Sequence, residues 1–445
     1  MLRSADLHRV TRMRRAEVPA GPRKPMIVEL INTGSELMVG RVLNTHQQWL
    51  CRQLADAGYC VSRQVAVPDA AECIQVALKE ALCRADLVIV TGGLGPTSDD
   101  VTRDSVARLL GLPLREDPEL LRQIELFFTE RGRPIPAAAR GEAMVPLNAV
   151  VLKNRNGTAA GLALEVPAGR FRHTEKSSWL ILLPGPPREL RPMFTEFALP
   201  WIREKLPSSA FVCRTFRTCG LGESQVQARV GHRLADLVVK GLSVGYCARP
   251  GEVDVRLAFT GADAEKNVAE GEALVRHALG EHVYAADDVA LEGLIVGRLT
   301  DLQKTVAIAE SCTGGCISDR ITNVPGASAV FRGAFITYSN LLKEKCLGVK
   351  AETLRVHGAV SEPVVREMAA GALGRGESDF AIAVTGIAGP GGGTDEKPAG
   401  TVFIALATRS QVLAWRMINP WDRRTFKEVT TQQALNILRL AISAA

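Results

Sequence analysis

A chain of 445 residues with 46% hydrophobic and 23% charged composition has material for several separate cores, roughly two to four domains, and contains no apolar run of membrane-spanning length. Its net charge of +6 comes from 54 basic residues spread along the whole chain against 48 acidic ones, which does not argue for nucleic acid as a partner. Ten cysteines without a Cys-x-x-Cys pair and without a secretory leader before them read as reduced thiols of a cytoplasmic protein, not as a disulfide scaffold.

Residues 1–24 carry seven basic side chains and two prolines, with Asp6 and Glu17 interrupting any transit-peptide pattern, and read as a disordered basic extension. From residue 25 to 206 strands alternate with helices. Met26 to Ile31 is a strand, Asn44 to Ala57 a helix, Val61 to Val67 a strand ending in Pro68-Asp69, Ala70 to Ala85 a helix and Asp86 to Val90 an apolar strand. This alternation predicts a doubly wound parallel sheet. Thr91-Gly92-Gly93-Leu94-Gly95-Pro96-Thr97-Ser98-Asp99-Asp100 follows the last of these strands. Its glycines permit close backbone approach and a helix starting near Asp99 points its N-terminus at the loop, an arrangement suited to phosphate. Asp99 and Asp100 either bridge a divalent cation or are first-turn acids of that helix. Arg170 to Ser177 is a polar hairpin tip, Leu180 to Leu183 the last strand, Trp201 to Lys205 the closing helix, and Leu206 to Ser209 a linker.

Residues 210–286 order themselves as strand (Phe211 to Thr218), helix (Glu223 to Leu237), two strands (Val244 to Ala248, Val253 to Thr260) and helix (Ala264 to Leu279), a small α+β module. Residues 287–303 form a linking helix with Leu291, Leu294, Ile295 and Leu299 at helical spacing.

The last domain, 304–445, opens on Val306 to Ile308, a short buried strand, which breaks into Ala309-Glu310-Ser311-Cys312-Thr313-Gly314-Gly315 and then a helix (Cys316 to Ile321). Amides at such a turn attract anions. Ser328 follows in Pro325-Gly326-Ala327-Ser328-Ala329. Tyr338 ends the apolar run Ala334 to Thr337, and Ser339 or Asn340 caps a helix that carries Lys343. A hydroxyl, a phenol and an amine at strand ends form a Ser/Lys/Tyr set in which serine attacks a carbonyl carbon and a buried lysine accepts its proton; the bland alternative is turn caps, a core tyrosine and a solvated lysine. Ser311, on the strand-to-loop elbow, is the nucleophile that residue spacing favours. Cys312 is a minor alternative, and its spacing to Cys316 without a nearby histidine does not make a metal site. His357 reads as loop packing before a helix from Pro363 to Gly374. Phe380 to Val384 is a buried strand, and Thr385-Gly386-Ile387-Ala388-Gly389-Pro390-Gly391-Gly392-Gly393-Thr394 after it is either a nucleotide phosphate loop or a flexible lid, with Lys397 and Arg423 as countercharge. A helix from Thr425 to Ala441 closes the domain.

The strings AESCTGG, FRGAFITYSNLLKEKCLGV, HGAVSEPVVREMAAGA and AVTGIAGPGGGTDEKPAGTVFIA, in this order, resemble the carboxyl-terminal amidase domain of the CinA family, and GSELMVGRVLNTH, TGGLGPTSDDVTRD and LPGPPREL resemble the molybdopterin-binding-like domain of the same family. The resemblance implies two three-layer α/β domains joined by a small α+β, KH-like module. It implies hydrolysis of nicotinamide mononucleotide to nicotinic acid mononucleotide and ammonia, without a cofactor, with Ser328 as nucleophile, Lys343 as base and Tyr338 as aligning partner. Ser311, Thr313, Gly314, Gly315, Thr385, Gly386, Gly389 and Arg423 then fall on substrate contacts. For the first domain it implies a metal-dependent ADP-ribose pyrophosphatase, with a divalent cation and phosphate held at Glu36, Asp69, Gly92, Gly93, Gly95, Thr97, Asp99 and Asp100. Small nucleotides are the expected partners and a homodimer the expected assembly. The KH-like module carries only Gly220-x-Gly222 with Glu223 after it where an RNA-gripping module needs Gly-x-x-Gly, so a structural or dimerisation role is expected of it. Three positions depart from the family pattern: Ser35 for Asp, Glu142 for Gln and Ala160 for Pro. The first two bear on the pyrophosphatase, because Glu142 would repel a substrate phosphate unless a metal compensates.

Overall fold

The computed structural model describes residues 26–173, 175–287 and 289–443, so the expected basic extension at 1–24 lies outside the described residues. The chain divides into two compact units, one ending at Ser209 and the other running from Ala210. No described helix is long and apolar enough to cross a membrane.

In the first unit Val61–Val67, Val28–Thr33, Leu87–Thr91 and Ser178–Leu183 lie side by side in parallel, and Gly161–Val166 and Val150–Leu152 extend the sheet antiparallel. The helices Thr45–Asp56 and Ala71–Leu82 make the crossovers that parallel pairing requires. The sheet is therefore mixed where a parallel one was expected, because the chain between residues 152 and 161 is too short to carry a crossover. Alternate residues of the central strands enter two different cores: Ile31, Val88 and Val90 pack on one face, Leu30, Leu87 and Ile89 on the other. Covering both faces explains why these strands read as unbroken apolar runs. The polar tip at 170–177 is tied down by Arg172, whose guanidinium meets the Asp86 carboxylate at 2.8 Å.

The second unit contains two sheets. Residues 243–249, 252–260, 211–219 and 283–286 form, in that order, an antiparallel sheet backed by the helices Glu223–Val230 and Ala264–Leu279. The helix expected to reach Leu237 stops at Val230, passes through a 3-10 turn at Gly231–Leu234 and resumes at Ala235–Val239. The Gly220 turn faces the C-terminal helix: a β-carbon there would lie 3.9 Å from the Asn436 amide. Gln432 donates from the same helix to Glu252 at 2.6 Å, and Arg439 to the Glu281 carbonyl at 2.8 Å.

The other sheet runs Phe331–Ile336, Val306–Glu310 and Phe380–Gly386 in parallel, then Thr401–Thr408 and Val412–Ile418 antiparallel. Ile308, Ile382 and Val384 pack beneath the C-terminal helix Arg423–Ser443, while Ala309, Ala381, Ala383, Ala405 and Ala407 line the opposite face beside the helix Glu362–Arg375. Small side chains let that helix sit close to the sheet. Gly371 on it touches the Leu347 carbonyl at the end of the helix Asn340–Leu347, so a β-carbon would overlap that oxygen. Replacing Gly371 with alanine is expected to lower stability by about 2 kcal/mol or more in urea unfolding, since backbone cannot yield as a side chain does.

Candidate active site

The strand Val306–Glu310 ends at the sheet's carboxyl edge and hands Ser311 to the loop; the Ser311 amide donates to the Val384 carbonyl of the neighbouring strand at 3.1 Å, which fixes the elbow. Across from it the helix Asn340–Leu347 starts at Ser339, whose hydroxyl accepts from the Leu342 amide. Lys343 and Leu347, one turn apart, are the buried positions of that helix. Lys343 is 1% exposed. Its ammonium donates to the Ser311 hydroxyl at 3.1 Å, to the Thr337 carbonyl at 2.8 Å and to the Tyr338 carbonyl at 3.5 Å. All three acceptors are neutral, and Lys343 forms no ion pair among the described residues. Desolvation therefore holds its pKa below the ordinary lysine value, a trend that nearby Cys312 only partly opposes. As a neutral amine it keeps two donors for the carbonyls and turns a lone pair toward the Ser311 proton.

Glu310, 0% exposed, precedes Ser311 and changes the expectation for the glycine turn. Its carboxylate accepts from the amides of Gly315, Ile317 and Ser318 and from the Ser318 hydroxyl at 2.5 to 3.2 Å. The anion at the start of the helix Cys316–Thr322 is thus the chain's own, and Gly315 has no amide to spare for a substrate. The Gly314 amide, on an exposed residue with φ of 59°, donates to nothing among the described residues.

The remaining candidates divide. Ser328 is exposed in the turn Ala327–Ala329 and makes no hydrogen bond to Lys343, whose three protons are already accepted elsewhere. The Ser/Lys pair brought together is Ser311 with Lys343. Tyr338 is 60% exposed; its phenol accepts from Arg423 at 2.7 Å and does not face the lysine amine. Arg423 also donates to the Gly389 carbonyl at 3.2 Å, so it joins the tyrosine to the glycine-rich loop. The Thr385 hydroxyl donates to the Ala359 carbonyl, and Gly386 is packed against Thr401 and Phe426. Thr313 is fully buried, and its hydroxyl is without a hydrogen-bond partner among the described residues. Burial pushes the Cys312 thiol up to about 12, away from the thiolate form in which a cysteine attacks. His357 ends a helix and is exposed instead of packed; its carbonyl, not its ring, accepts from Lys397 at 2.9 Å.

In the first unit the loop after Leu87–Thr91 carries Gly92 and Gly93 at positive φ. A β-carbon on Gly92 would meet Thr33, and one on Gly93 would overlap the Thr102 hydroxyl. The helix begins at Thr102, three residues later than expected, because Asp99 and Asp100 fold back: the Thr97 hydroxyl donates to both carboxylates at 2.5 Å and the Thr97 amide to Asp100 at 2.9 Å. Gly95 lies against Asp100. The Asp69 carboxylate accepts from the Ser35 amide at 2.8 Å while the Asp69 amide donates to the Ser35 hydroxyl at 3.2 Å, so serine at 35 pairs with Asp69 where an aspartate would repel it. Glu36 is exposed beside them. Among the described residues no three His, Cys, Asp or Glu side chains converge as a metal site requires. Sequence reasoning passed over Arg103 beside this loop. Its buried Nε and both oxygens of Glu142, which is 2% exposed, have no hydrogen-bond partner among the described residues. Desolvation raises the Glu142 pKa to about 7, against the opposing pull of Thr158 and Arg103.

Residues 288–442 match the model of the CinA C-terminal domain, 29–204 that of the probable molybdopterin binding domain and 213–285 that of the damage-inducible protein CinA KH domain. A CinA-like protein of Akkermansia muciniphila is 45% identical over 93% of this chain and 96% of its own length. A competence-damage inducible protein of Caldicellulosiruptor bescii is 42% identical over 94% of this chain and 99% of its own. A competence/damage inducible protein of Agrobacterium tumefaciens, known as a crystal structure, is 44% identical over 34% of this chain and 93% of its own, with a TM-score of 0.34.

The Glu142 carboxyl sets the sign of a pH effect. A folded pKa raised from 4.5 to about 7 means that the folded state holds the extra proton in between, so stability is present below pH 4.5 and is lost as pH rises through 7. Glu142→Gln keeps the shape without the charge. At pH 8 it is expected to be more stable than the parent by up to about 3 kcal/mol, and at pH 4.5 nearly equal to it, in denaturant unfolding of the first unit.

Proposed function

The chain belongs to the CinA family, and from that premise we propose that its second unit is an amidohydrolase which converts nicotinamide mononucleotide to nicotinic acid mononucleotide and ammonia, with Ser311 as nucleophile and Lys343 as its base. The observation that carries this reading is the 3.1 Å contact between a buried serine hydroxyl and a buried lysine amine without a counter-ion. The neutral amine takes the Ser311 proton as Oγ bonds to the carboxamide carbon. The exposed Gly314 amide, which donates to nothing among the described residues, is the donor this reading assigns to the oxyanion that forms. Collapse of the tetrahedral intermediate breaks the carbon–nitrogen bond, and the Lys343 ammonium returns its proton to the leaving ammonia. Water then attacks the resulting ester, giving a proton to Lys343, which passes it back to Ser311 as the acid departs. Tyr338 and Arg423 border the site and serve binding in this scheme.

The Arg103 guanidinium beside the Gly92 to Asp100 loop, whose buried Nε makes no hydrogen bond among the described residues, favours a second ligand site for an anion in the first unit. We propose that it takes a nucleotide diphosphate such as ADP-ribose. The side chains there do not form a preassembled metal cage, and no step is assigned to a divalent ion. Release of adenosine monophosphate from ADP-ribose, with and without added divalent metal, in the parent and in Asp100→Ala, is the check: metal-independent or absent release in the parent counts against the expected pyrophosphatase.

Ammonia release from nicotinamide mononucleotide tests the amidase. Ser311→Ala and Lys343→Met are each expected to lower kcat/KM by about a thousandfold or more, and Ser328→Ala by no more than about threefold. If Ser328→Ala abolishes turnover while Ser311→Ala retains it, the assignment of the nucleophile is wrong. In the parent, kcat/KM rises with pH and levels off above a pKa lower than that of an ordinary lysine, because only the deprotonated amine accepts the serine proton. A flat profile across that limb contradicts Lys343 as base.

A further inference from the structure

We infer that Lys427 is the anchor for the substrate's phosphate monoester, seated between the exposed Gly314 corner of the nucleophile loop and the second turn of the C-terminal helix Arg423–Ser443. The inference rests on the amidase reading and adds the group that tells a nucleotide from its nucleoside.

The turn that would otherwise receive an anion is already filled, since Glu310 accepts three loop and helix amides there. A second carboxylate or phosphate at that point would meet a buried negative charge, so the substrate's anion needs a cation elsewhere. Lys397 is engaged with the His357 carbonyl, Arg424 with Glu428, and Arg320 with Glu292. Lys427 is different. It is half-buried and makes no hydrogen bond or ion pair among the described residues. Its ammonium lies 3.8 Å from where a β-carbon on Gly314 would be. Arg423, one helical turn earlier, holds Tyr338 and Gly389 on the same side of the loop and supplies a second positive charge. A phosphate dianion accepts from Lys427 as from a point charge without needing a bidentate fork. Gly314 suits this geometry because any side chain there would fill the space in front of the ammonium.

The test compares nicotinamide mononucleotide with nicotinamide riboside, which lacks the phosphate. Lys427→Met, which keeps the apolar stem, is expected to raise KM for the mononucleotide at least tenfold with kcat within about twofold, and to leave kcat/KM for the riboside unchanged; Lys427→Arg restores most of the loss. Arg424→Ala, which removes a neighbouring charge already paired on the same helix, is expected to leave both substrates unaffected. Equal losses on the two substrates, or none on either, overturn the assignment. Titration calorimetry of nicotinic acid mononucleotide into full-length Ser311→Ala, with and without Lys427→Met, reads the same contact without turnover. A tenfold or larger fall in affinity on adding Lys427→Met supports the anchor even where the parent releases no ammonia, and an unchanged affinity overturns it.

Discussion

An amine buried without a counter-ion is the constraint around which the second unit is arranged. Lys343 occupies a core position of its helix, and its three acceptors are a hydroxyl and two carbonyls. Neutral acceptors do not offset the cost of removing a charged ammonium from water, so the fold favours the uncharged form that a base requires. Supporting packing holds the group in place: Ser339 caps its helix, and Gly371 brings the Glu362–Arg375 helix against the Leu347 carbonyl at the other end. The site and the core thus share the same contacts.

The nucleophile loop shows how one buried charge redirects another. Glu310 caps the helix behind it from within, which stiffens the turn and closes it to foreign anions. In the proposed reading, recognition of a charged substrate then falls to side-chain cations on the C-terminal helix. That same helix receives the KH-like module through Gln432 and Arg439, so the module, the binding edge and the nucleophile loop rest on one element. The first unit follows the opposite strategy. Its loop acids are satisfied by Thr97 and Ser35, while the polar atoms without a hydrogen-bond partner among the described residues lie deeper, at Arg103 and Glu142. Burial raises the Glu142 carboxyl to about 7, so its charge is suppressed below neutral pH.

Much of this was legible in the residues. Apolar strands, capped helices and the order of the three family segments depend on local pattern, and the Ser311 elbow was readable from a strand that breaks into small residues before a helix. Less legible was anything that depends on which strand neighbours which. The antiparallel strands at 150–152, 161–166, 401–408 and 412–418 complete the two larger sheets, yet periodicity does not encode pairing direction. The late start of the helix at Thr102 reflects side-chain bonds from Thr97 that compete with helical ones.

By itself, then, the amino-acid sequence determined the family, the segment order and the residue types available for chemistry, because these follow from short-range pattern and motif. Only the tertiary structure decided that Lys343 meets Ser311 and not Ser328, that Glu310 closes the glycine turn, and that Lys427 stands beside Gly314 without a partner among the described residues. Each of these is a meeting of residues 5 to more than 100 positions apart, brought about by strand order and helix packing, and burial, which sets their charge states, exists only once the core has closed.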